Sequence, residues 1–337
     1  MAILVTGGAG YIGSHTVVVL LESGFDVVVL DNLSNSSVES LSRVKNISGR
    51  DFKIYIGSVL DDALLHEIFR DNDITDVIHF AGLKSVGQSL KTPLDYYRHN
   101  ISGTISLVEN MHKAGVRNLI FSSSATVYGE PQRIPLNEEC NIGGTTNPYG
   151  TSKLMIEQIL RDFSKSDPQF RVTVLRYFNP VGAHPSGLIG ESPHGIPNNI
   201  LPYITQVAIG KLECLSVFGN DYSTKDGTGV RDYIHVMDLA QGHLAALANK
   251  NNGENYKVFN LGLGKGYSVL DLIRTFEKIT KVNIKYMYVS RRGGDIAECW
   301  SDSSLAKQQL GWQAKYDLDD MIADSWKWQR LNPNGYE

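Results

Sequence analysis

The stretch Thr6-Gly7-Gly8-Ala9-Gly10-Tyr11-Ile12-Gly13 decides how the first half of the chain is read. It follows the apolar run Ile3-Leu4-Val5 and precedes an amphipathic segment from Ser14 to Leu21. That context is strand, tight turn, helix. Gly7, Gly10 and Gly13 recur every third residue, and Gly8 to Gly13 also fits the pattern G-x-G-x-x-G. Glycine is needed there because the bend is sharp, the backbone must approach a pyrophosphate, and the helix must pack close to the strand. The N–H groups that open the helix are unpaired and carry partial positive charge, so they suit phosphate oxygens.

A glycine turn alone is a weak signal. A second apolar run, Val27-Val28-Val29-Leu30, ends in Asp31. Asp31 follows Gly13 at close to the separation of about 20 residues expected for an acid on ribose hydroxyls. A carboxylate there repels a 2′-phosphate, so the two features together read as an NAD site rather than an NADP site. The plainer reading of Asp31 is a strand-end acid that caps a loop.

The chain has 337 residues, enough to bury a large core in two domains or one large α/β unit. A net charge of −4 and the absence of a long basic run argue against nucleic acid and acidic membranes as partners. Cys140, Cys214 and Cys299 lie far apart and form no C-x-x-C pair, which suits a reducing cytoplasm and gives no metal site or disulfide scaffold. The chain enters a strand at once, without a charged leader, and no apolar run is long enough to span a membrane. A cytoplasmic protein is expected.

Strands and helices alternate through the first half, the signature of a parallel sheet covered on both faces. After the first two strands come Phe52–Ile56, Asp76–Phe80, Asn118–Phe121 and Val172–Leu175. Helices are expected over Asp62–Arg70, Pro93–Ala114 and Tyr149–Ser164. Ligands bind such sheets at the carboxyl ends of the strands, here Gly7, Asp31, Ser58, Phe80-Ala81-Gly82, Ser122-Ser123-Ser124 and Tyr177-Phe178-Asn179. The fold class is thus α/β, a Rossmann-type doubly wound parallel sheet. From Pro180 the texture changes, and Pro and Gly punctuate a loop-rich crossing from Asn179 to Pro197. Residues 1–179 are read as the NAD-binding domain, and 180–337 as a smaller mixed α/β domain for substrate, some of whose segments return to the first. Strand-like pieces at Leu215–Phe218 and Val258–Asn260 mix there with helices near Val236–Ala248, Ser268–Ile279 and Asp317–Gln329.

Tyr149 and Lys153 stand four apart at the start of a predicted helix and share one face. Tyrosine is a poor base, with a pKa of roughly 10. A nearby ammonium and a positive nicotinamide ring favour its phenolate and bring it toward neutrality. Ser124 is placed to hydrogen-bond the same reacting oxygen. A surface Tyr/Lys pair beside a solvated serine turn is the bland alternative.

TGxxGxxG, the strand-end Asp31, Ser124 and Y-x-x-x-K at Tyr149 together resemble the extended short-chain dehydrogenase/reductases. FAGLKSVGQS (Phe80–Ser89), FSSSATVYG (Phe121–Gly129), NPYGTSKLMIEQIL (Asn147–Leu160), RYFNPVGAHPSG (Arg176–Gly187) and GTGVRDYIHVMDLA (Gly227–Ala240) narrow the resemblance. They are similar to the UDP-glucose 4-epimerase family, from Ile3 nearly to the C-terminus. The resemblance implies a tightly held NAD that is returned unchanged, a UDP-sugar substrate and a homodimer. It makes Tyr149, with Lys153 and Ser124, the catalytic group that takes the sugar O4 proton while hydride leaves C4.

Carried over residue by residue, Gly7, Gly10, Tyr11, Ile12 and Gly13 hold the pyrophosphate, and Asp31, Asn32, Asn35 and Ser36 the adenosine ribose. Ser58, Val59, Phe80, Ala81, Gly82, Lys84, His99, Ser122 and Phe178 complete the cofactor side. On the substrate side stand Lys84, Tyr177, Asn179, Asn199, Ile200, Val217, Phe218, Arg231, Tyr233, Arg292, Asp295 and Cys299. Three positions depart from the family pattern. Ser58 stands where an Asp meets the adenine amino group, His99 where an Asn is usual, and Cys299 where the galactose-dedicated enzymes carry Tyr. Cys299 therefore implies that N-acetylated UDP-hexoses are accepted as well.

Two rivals are weighed. A nucleotide-sugar 4,6-dehydratase needs an acid and a base just before Val127-Tyr128-Gly129, where this chain has Ala125 and Thr126. A non-catalytic nucleotide-sensing protein of the same fold has no use for Tyr149 and Lys153.

Overall fold

The computed structural model describes residues 1–193, 197, 199–250 and 253–337. Part of the expected loop-rich crossing, residues 194–196, lies outside the described residues. The chain opens with β1 (Ala2–Thr6), α1 (Tyr11–Glu22), β2 (Asp26–Asp31), α2 (Val38–Ser48), β3 (Lys53–Ile56), α3 (Asp62–Asp71) and β4 (Ile74–His79). It continues through α4 (Val86–Lys91), α5 (Pro93–Tyr96), a π-helical turn (Tyr97–Ser102), α6 (Gly103–Lys113), β5 (Asn118–Ser124) and a 3-10 turn (Ala125–Tyr128). Then come α7 (Pro148–Ser166), β6 (Arg171–Tyr177), β7 (Asn179–Val181), α8 (Ile200–Ala208), β8 (Leu215–Phe218), β9 (Val230–His235) and α9 (Val236–Ala248). The last part holds β10 (Tyr256–Leu261), β11 (Gly266–Ser268), α10 (Val269–Thr280), β12 (Tyr286–Val289), β13 (Glu298–Cys299), α11 (Ser304–Leu310) and α12 (Leu318–Leu331).

Seven parallel strands form the central sheet in the order β10-β6-β5-β4-β1-β2-β3. Its strands are apolar almost throughout because both faces are covered. Ile3, Val5, Val27 and Val29 point to a core shared with α1, α2 and α9. Leu4, Val28 and Leu30 point the other way, to a core shared with α3, α6 and α7. Each fully buried Leu or Val contributes about 1.5–3 kcal/mol relative to exposure. The edge strand β10 follows residue 180, as does α9 on the first face. A third core joins α8, β8, α10 and α12. Beside it β9 pairs with β7, β11 and β13, and β8 pairs with β12.

The single helix expected over Pro93–Ala114 is broken by the π-helical turn at Tyr97–Ser102. The side chain of Asn100 on this turn accepts from Leu83 N–H at 2.7 Å and donates to Leu83 O and to Ser152 Oγ, each at 3.0 Å. The wider turn is thus fastened to the loop after β4 and to α7. Strand order reverses between β1 and β4, so the crevice at their carboxyl ends is the expected ligand site.

Candidate active site

At the end of β1, Gly7 has φ of +72°, and a Cβ on it would come within 2.7 Å of Ala81 N. A Cβ on Gly13 would collide with Gly7 O. Only glycine lets the loop after β4 lie across the turn and α1 start directly behind it. The start of α1 has no side-chain cap and no acid in its first turn, whereas α7 is capped by Asn147. Those open N–H groups fit a pyrophosphate. The Asp31 carboxylate at the end of β2 accepts from Ala9 N–H and Leu33 N–H, each at 2.9 Å, and from Ser36 Oγ at 2.8 Å. It does cap its loop, and in doing so it ties that loop to the glycine turn.

The other residues read as cofactor contacts differ in burial and in partners. Tyr11 donates its hydroxyl to Gly182 O at 2.7 Å, linking α1 to the stretch after β7. Ile12 and Phe80 pack on the first core, and Val59 is buried beneath Gly103. Ser58 Oγ accepts from Leu60 N–H at 3.1 Å. Asn32 and Asn35 are exposed, and His99 is half-buried on the π-helical turn. Gly82 lies against Asn100. Lys84 Nζ sits 3.3 Å from Glu191 Oε1, which also accepts from Asn199 Nδ2 at 2.6 Å. Glu191 thereby joins Lys84 to Asn199.

The reactive side chains meet at the carboxyl end of β5. Asn147 Oδ1 accepts from Gly150 N–H at 2.9 Å and Pro148 stands in the first turn, so α7 begins abruptly and presents Tyr149 there. Ser124 lies beside the Tyr149 phenol and favours its ionised form. Lys153 Nζ donates to Ser122 O at 2.6 Å and lies 6.0 Å from the centre of the Tyr149 ring. Burial pushes the Tyr149 phenol up to about 12, against the pull of Ser124. Burial pushes Lys153 down to about 8, against the charge of Glu157. In the chain by itself burial dominates and keeps the phenol neutral at pH 7; the phenolate expected from the sequence counts on the nicotinamide charge as well. A further positive charge beside it is required to reach the phenolate.

Behind these groups lies a buried network that sequence reasoning missed. Ser123 and Arg176 are register partners on β5 and β6, and both point toward α7. Glu157 accepts from Ser123 Oγ at 2.5 Å and from Arg176 at 3.0 and 2.7 Å. Arg176 also donates to Tyr128 OH at 2.9 Å, and Tyr128 donates to Asn260 on β10 at 2.7 Å. Glu157 lies one turn beyond Lys153 on the face that carries Tyr149, and that spacing was the available signal. Tyr177 hydrogen-bonds the buried His243 Nε2. His243 Nδ1 lies 2.8 Å from Leu239 O, so it carries the ring proton and Tyr177 is the donor.

On the substrate side Asn179 and Tyr233 are register partners on β7 and β9. Arg292 makes a bidentate pair with Asp295 at 3.1 and 3.0 Å, and Arg231 lies 3.9 Å from the same carboxylate. Arg292 also lies 5.3 Å from the centre of the exposed Phe218 ring. Val217 points the other way into the third core, and Ile200 packs against that core at the start of α8. Cys299 is buried in a small cluster with Phe178, Val127, Tyr128 and Leu136. The structure thus gathers Arg231, Arg292, Asp295 and Phe218 in one group and Phe178 with Cys299 in another. The Val217 side chain joins neither.

The model of the NAD dependent epimerase/dehydratase family matches residues 3–262. The UDP-glucose 4-epimerase of Haemophilus influenzae is 63% identical over 336 residues, covering 100% of this chain and 99% of the relative. The structure of UDP-glucose 4-epimerase from Bifidobacterium longum in complex with NAD+ and UDP superposes with a TM-score of 0.97 at 53% identity, covering 99% of this chain and 100% of that one. A UDP-Glc/GlcNAc 4-epimerase from Campylobacter jejuni superposes at 0.84 with 38% identity, covering 98% and 99%. The chain belongs to the NAD dependent epimerase/dehydratase family.

Proposed function

We propose that this chain interconverts UDP-glucose and UDP-galactose by epimerising C4 through a 4-keto sugar. The observation that carries this reading is the meeting of Ser124, Tyr149 and Lys153 beside the glycine turn. Bound NAD supplies the acceptor, and then the donor, of the C4 hydride. Tyr149 takes the O4 proton as the hydride leaves and returns it when the hydride comes back to the opposite face. Lys153 supplies positive charge to the phenolate, and Ser124 hydrogen-bonds the reacting oxygen. Arg231 and Arg292 suit a diphosphate, whose planar forks of acceptors match guanidinium donors. The sugar turns about that diphosphate between the two hydride transfers.

Residues 1–179 serve chiefly the cofactor and 180–337 chiefly the sugar nucleotide, with α9 and β10 returning to the first part. Cys299, smaller than tyrosine, is buried beside Phe178, which supports acceptance of a 2-acetamido group, and the Campylobacter jejuni relative's name includes UDP-GlcNAc. UDP-N-acetylglucosamine and UDP-N-acetylgalactosamine are therefore substrates as well. Leu90, Leu94 and Met155, exposed on the neighbouring helices α4, α5 and α7, support a homodimer through that face. A cytoplasmic setting fits the three free cysteines.

The dehydratase reading finds no support, because Ala125 and Thr126 place no acid or base beside Ser124. The test is an assay of the purified protein against the four UDP-sugars, with its mass in solution measured alongside. Absence of UDP-glucose and UDP-galactose interconversion overturns the reading.

A further inference from the structure

The polarity of the hydrogen bonds around Ser124 is settled by a residue that does not itself reach the phenol. A hydroxyl has one proton to donate and two lone pairs with which to accept. Ser124 Oγ accepts from the Thr126 N–H at 3.2 Å and from the Thr126 hydroxyl at 3.0 Å. Both lone pairs are then engaged, and both by one residue. The remaining proton of Ser124 can only point outward, to the Tyr149 oxygen or to an oxygen bound beside it.

Thr126 is held where it can do this. It sits in the 3-10 turn that follows β5 directly, and its own side chain packs on Gly150, where a Cβ would come within 3.2 Å of Thr126 Cβ. Gly150 is the residue after Tyr149, so the contact fixes the spacing between the Ser124 turn and the start of α7.

We propose that Thr126 is a positioning residue for the epimerisation, acting by forcing Ser124 to be a donor and never an acceptor toward the reacting oxygen. This rests on the epimerase reading given above. The chemistry calls for that polarity. A sugar O4–H offered two acceptors, Ser124 and Tyr149, would divide its proton between them, and only the bond to Tyr149 leads to proton transfer. With the lone pairs of Ser124 engaged, the O4–H has Tyr149 as its acceptor. As C4 becomes a carbonyl, Ser124 donates to the O4 that has lost its proton. The groups facing Tyr149 are Ser124 on β5, Lys153 on α7, Tyr96 on α5 and Tyr177 on β6. Tyr96 and Tyr177 are neutral phenols near pH 7, because burial raises both. Lys153 is the charged member and is untouched by a change at position 126.

The experiment compares Thr126→Val, which keeps shape and removes the hydroxyl, with Thr126→Ser, which keeps the hydroxyl. Thr126→Ala is the second hydroxyl-free variant should valine not fold. Bound NAD and the thermal midpoint report folding, and kcat and KM for UDP-galactose are followed across pH. Thr126→Val should lose about tenfold in kcat, the worth of one hydrogen bond. Its KM should be unchanged, and the acid limb of its kcat profile should move to higher pH, because the phenolate is donated to less of the time. Thr126→Ser should restore both. A folded Thr126→Val or Thr126→Ala with wild-type kcat and an unmoved acid limb overturns the proposal, as does a Thr126→Ser as damaged as the valine variant. Tyr149→Phe in the same assay separates the two readings: if it stays active the base assignment has failed, whatever position 126 does.

Discussion

Cys299 and Arg231 are register partners on the parallel strands β13 and β9. The residue proposed to bear on the size of the sugar is therefore fixed to the strand that carries a candidate diphosphate arginine. Cys299 is 7% exposed and packs with Phe178, so a larger side chain there must grow into the cleft or push the cluster apart. Cys299→Tyr should sharply reduce turnover of the N-acetylated pair while largely sparing UDP-glucose and UDP-galactose. Overpacking of about 1–3 kcal/mol corresponds to one or two orders of magnitude. The check is the ratio of kcat/KM for the two pairs in both proteins, and equal losses would mean general damage instead.

Tyr149→Phe should lower turnover by at least about 10²-fold, the usual loss of a general base. NAD content and thermal midpoint should stay at wild-type values, because the hydroxyl supports no part of either core. Lys153 is held near 8 by burial, so the wild-type rate should fall as pH rises through that value and the ammonium is lost. Lys153→Met should do damage similar to Tyr149→Phe and remove this alkaline fall from any residual activity. A wild-type rate that keeps rising well above pH 8 would count against the role given to Lys153.

Asp31→Ala should cost both cofactor and stability. The Ala9 N–H and Ser36 hydroxyl lose their acceptor, at about 1–3 kcal/mol for a buried donor left unpaired. Nucleotide released on denaturing the pure protein should be NAD in the wild type and strongly reduced in the variant. Release of NADP from the wild type would refute the assignment of Asp31 to the ribose hydroxyls.

Acid should destabilise the fold earlier than carboxylate protonation alone explains. His15, His79 and His243 are buried and pushed by that burial down to about 3, 3 and 4. Unfolded, each binds a proton near 6.5, so the unfolded chain holds more protons below that pH. Their contribution is full above about pH 6.5 and is lost as pH falls toward 4. Each costs about 1.4 kcal/mol per pH unit in between. The thermal midpoint should drop steadily through that window, and His243→Gln should flatten the drop. A midpoint constant from pH 6.5 to about 5 would contradict it.

What the sequence disclosed about the site was what short spacing encodes. The glycine turn, the strand-end Asp31 and the Tyr149–Lys153 pair are each set by residues a few positions apart within one strand, turn or helix. The β-strands of the central sheet were readable because both faces are buried and leave continuous apolar runs. The short strands β7, β9, β11 and β13 carry no such run and owe their pairing to each other. The break at Tyr97–Ser102 was hidden because Asn100 acts through partners at Leu83 and Ser152, far along the chain. The direction of a side chain was equally out of reach: Val217 and Phe218 are adjacent, and only the third core decides that valine goes in and phenylalanine out. Desolvation of Tyr149 likewise depends on everything packed around it, which no spacing in the sequence reports.

The place of β10 has a consequence for how such a protein is made and varied. The chain leaves the central sheet at β6, lays down β7, α8, β8 and β9, returns with α9 and β10, and departs again. The part proposed for the cofactor is sewn through by the part proposed for the sugar nucleotide. During synthesis it cannot close its edge until Leu261 has left the ribosome. A stop after residue 179 leaves β6 with a bare edge and α1 without its cover. Nor can recombination exchange the sugar-nucleotide lobe with a single crossover; it would have to cut on both sides of α9 and β10 and rejoin around them. A change at one position, such as 299, asks nothing of this threading, whereas a traded lobe must be cut at both of its seams.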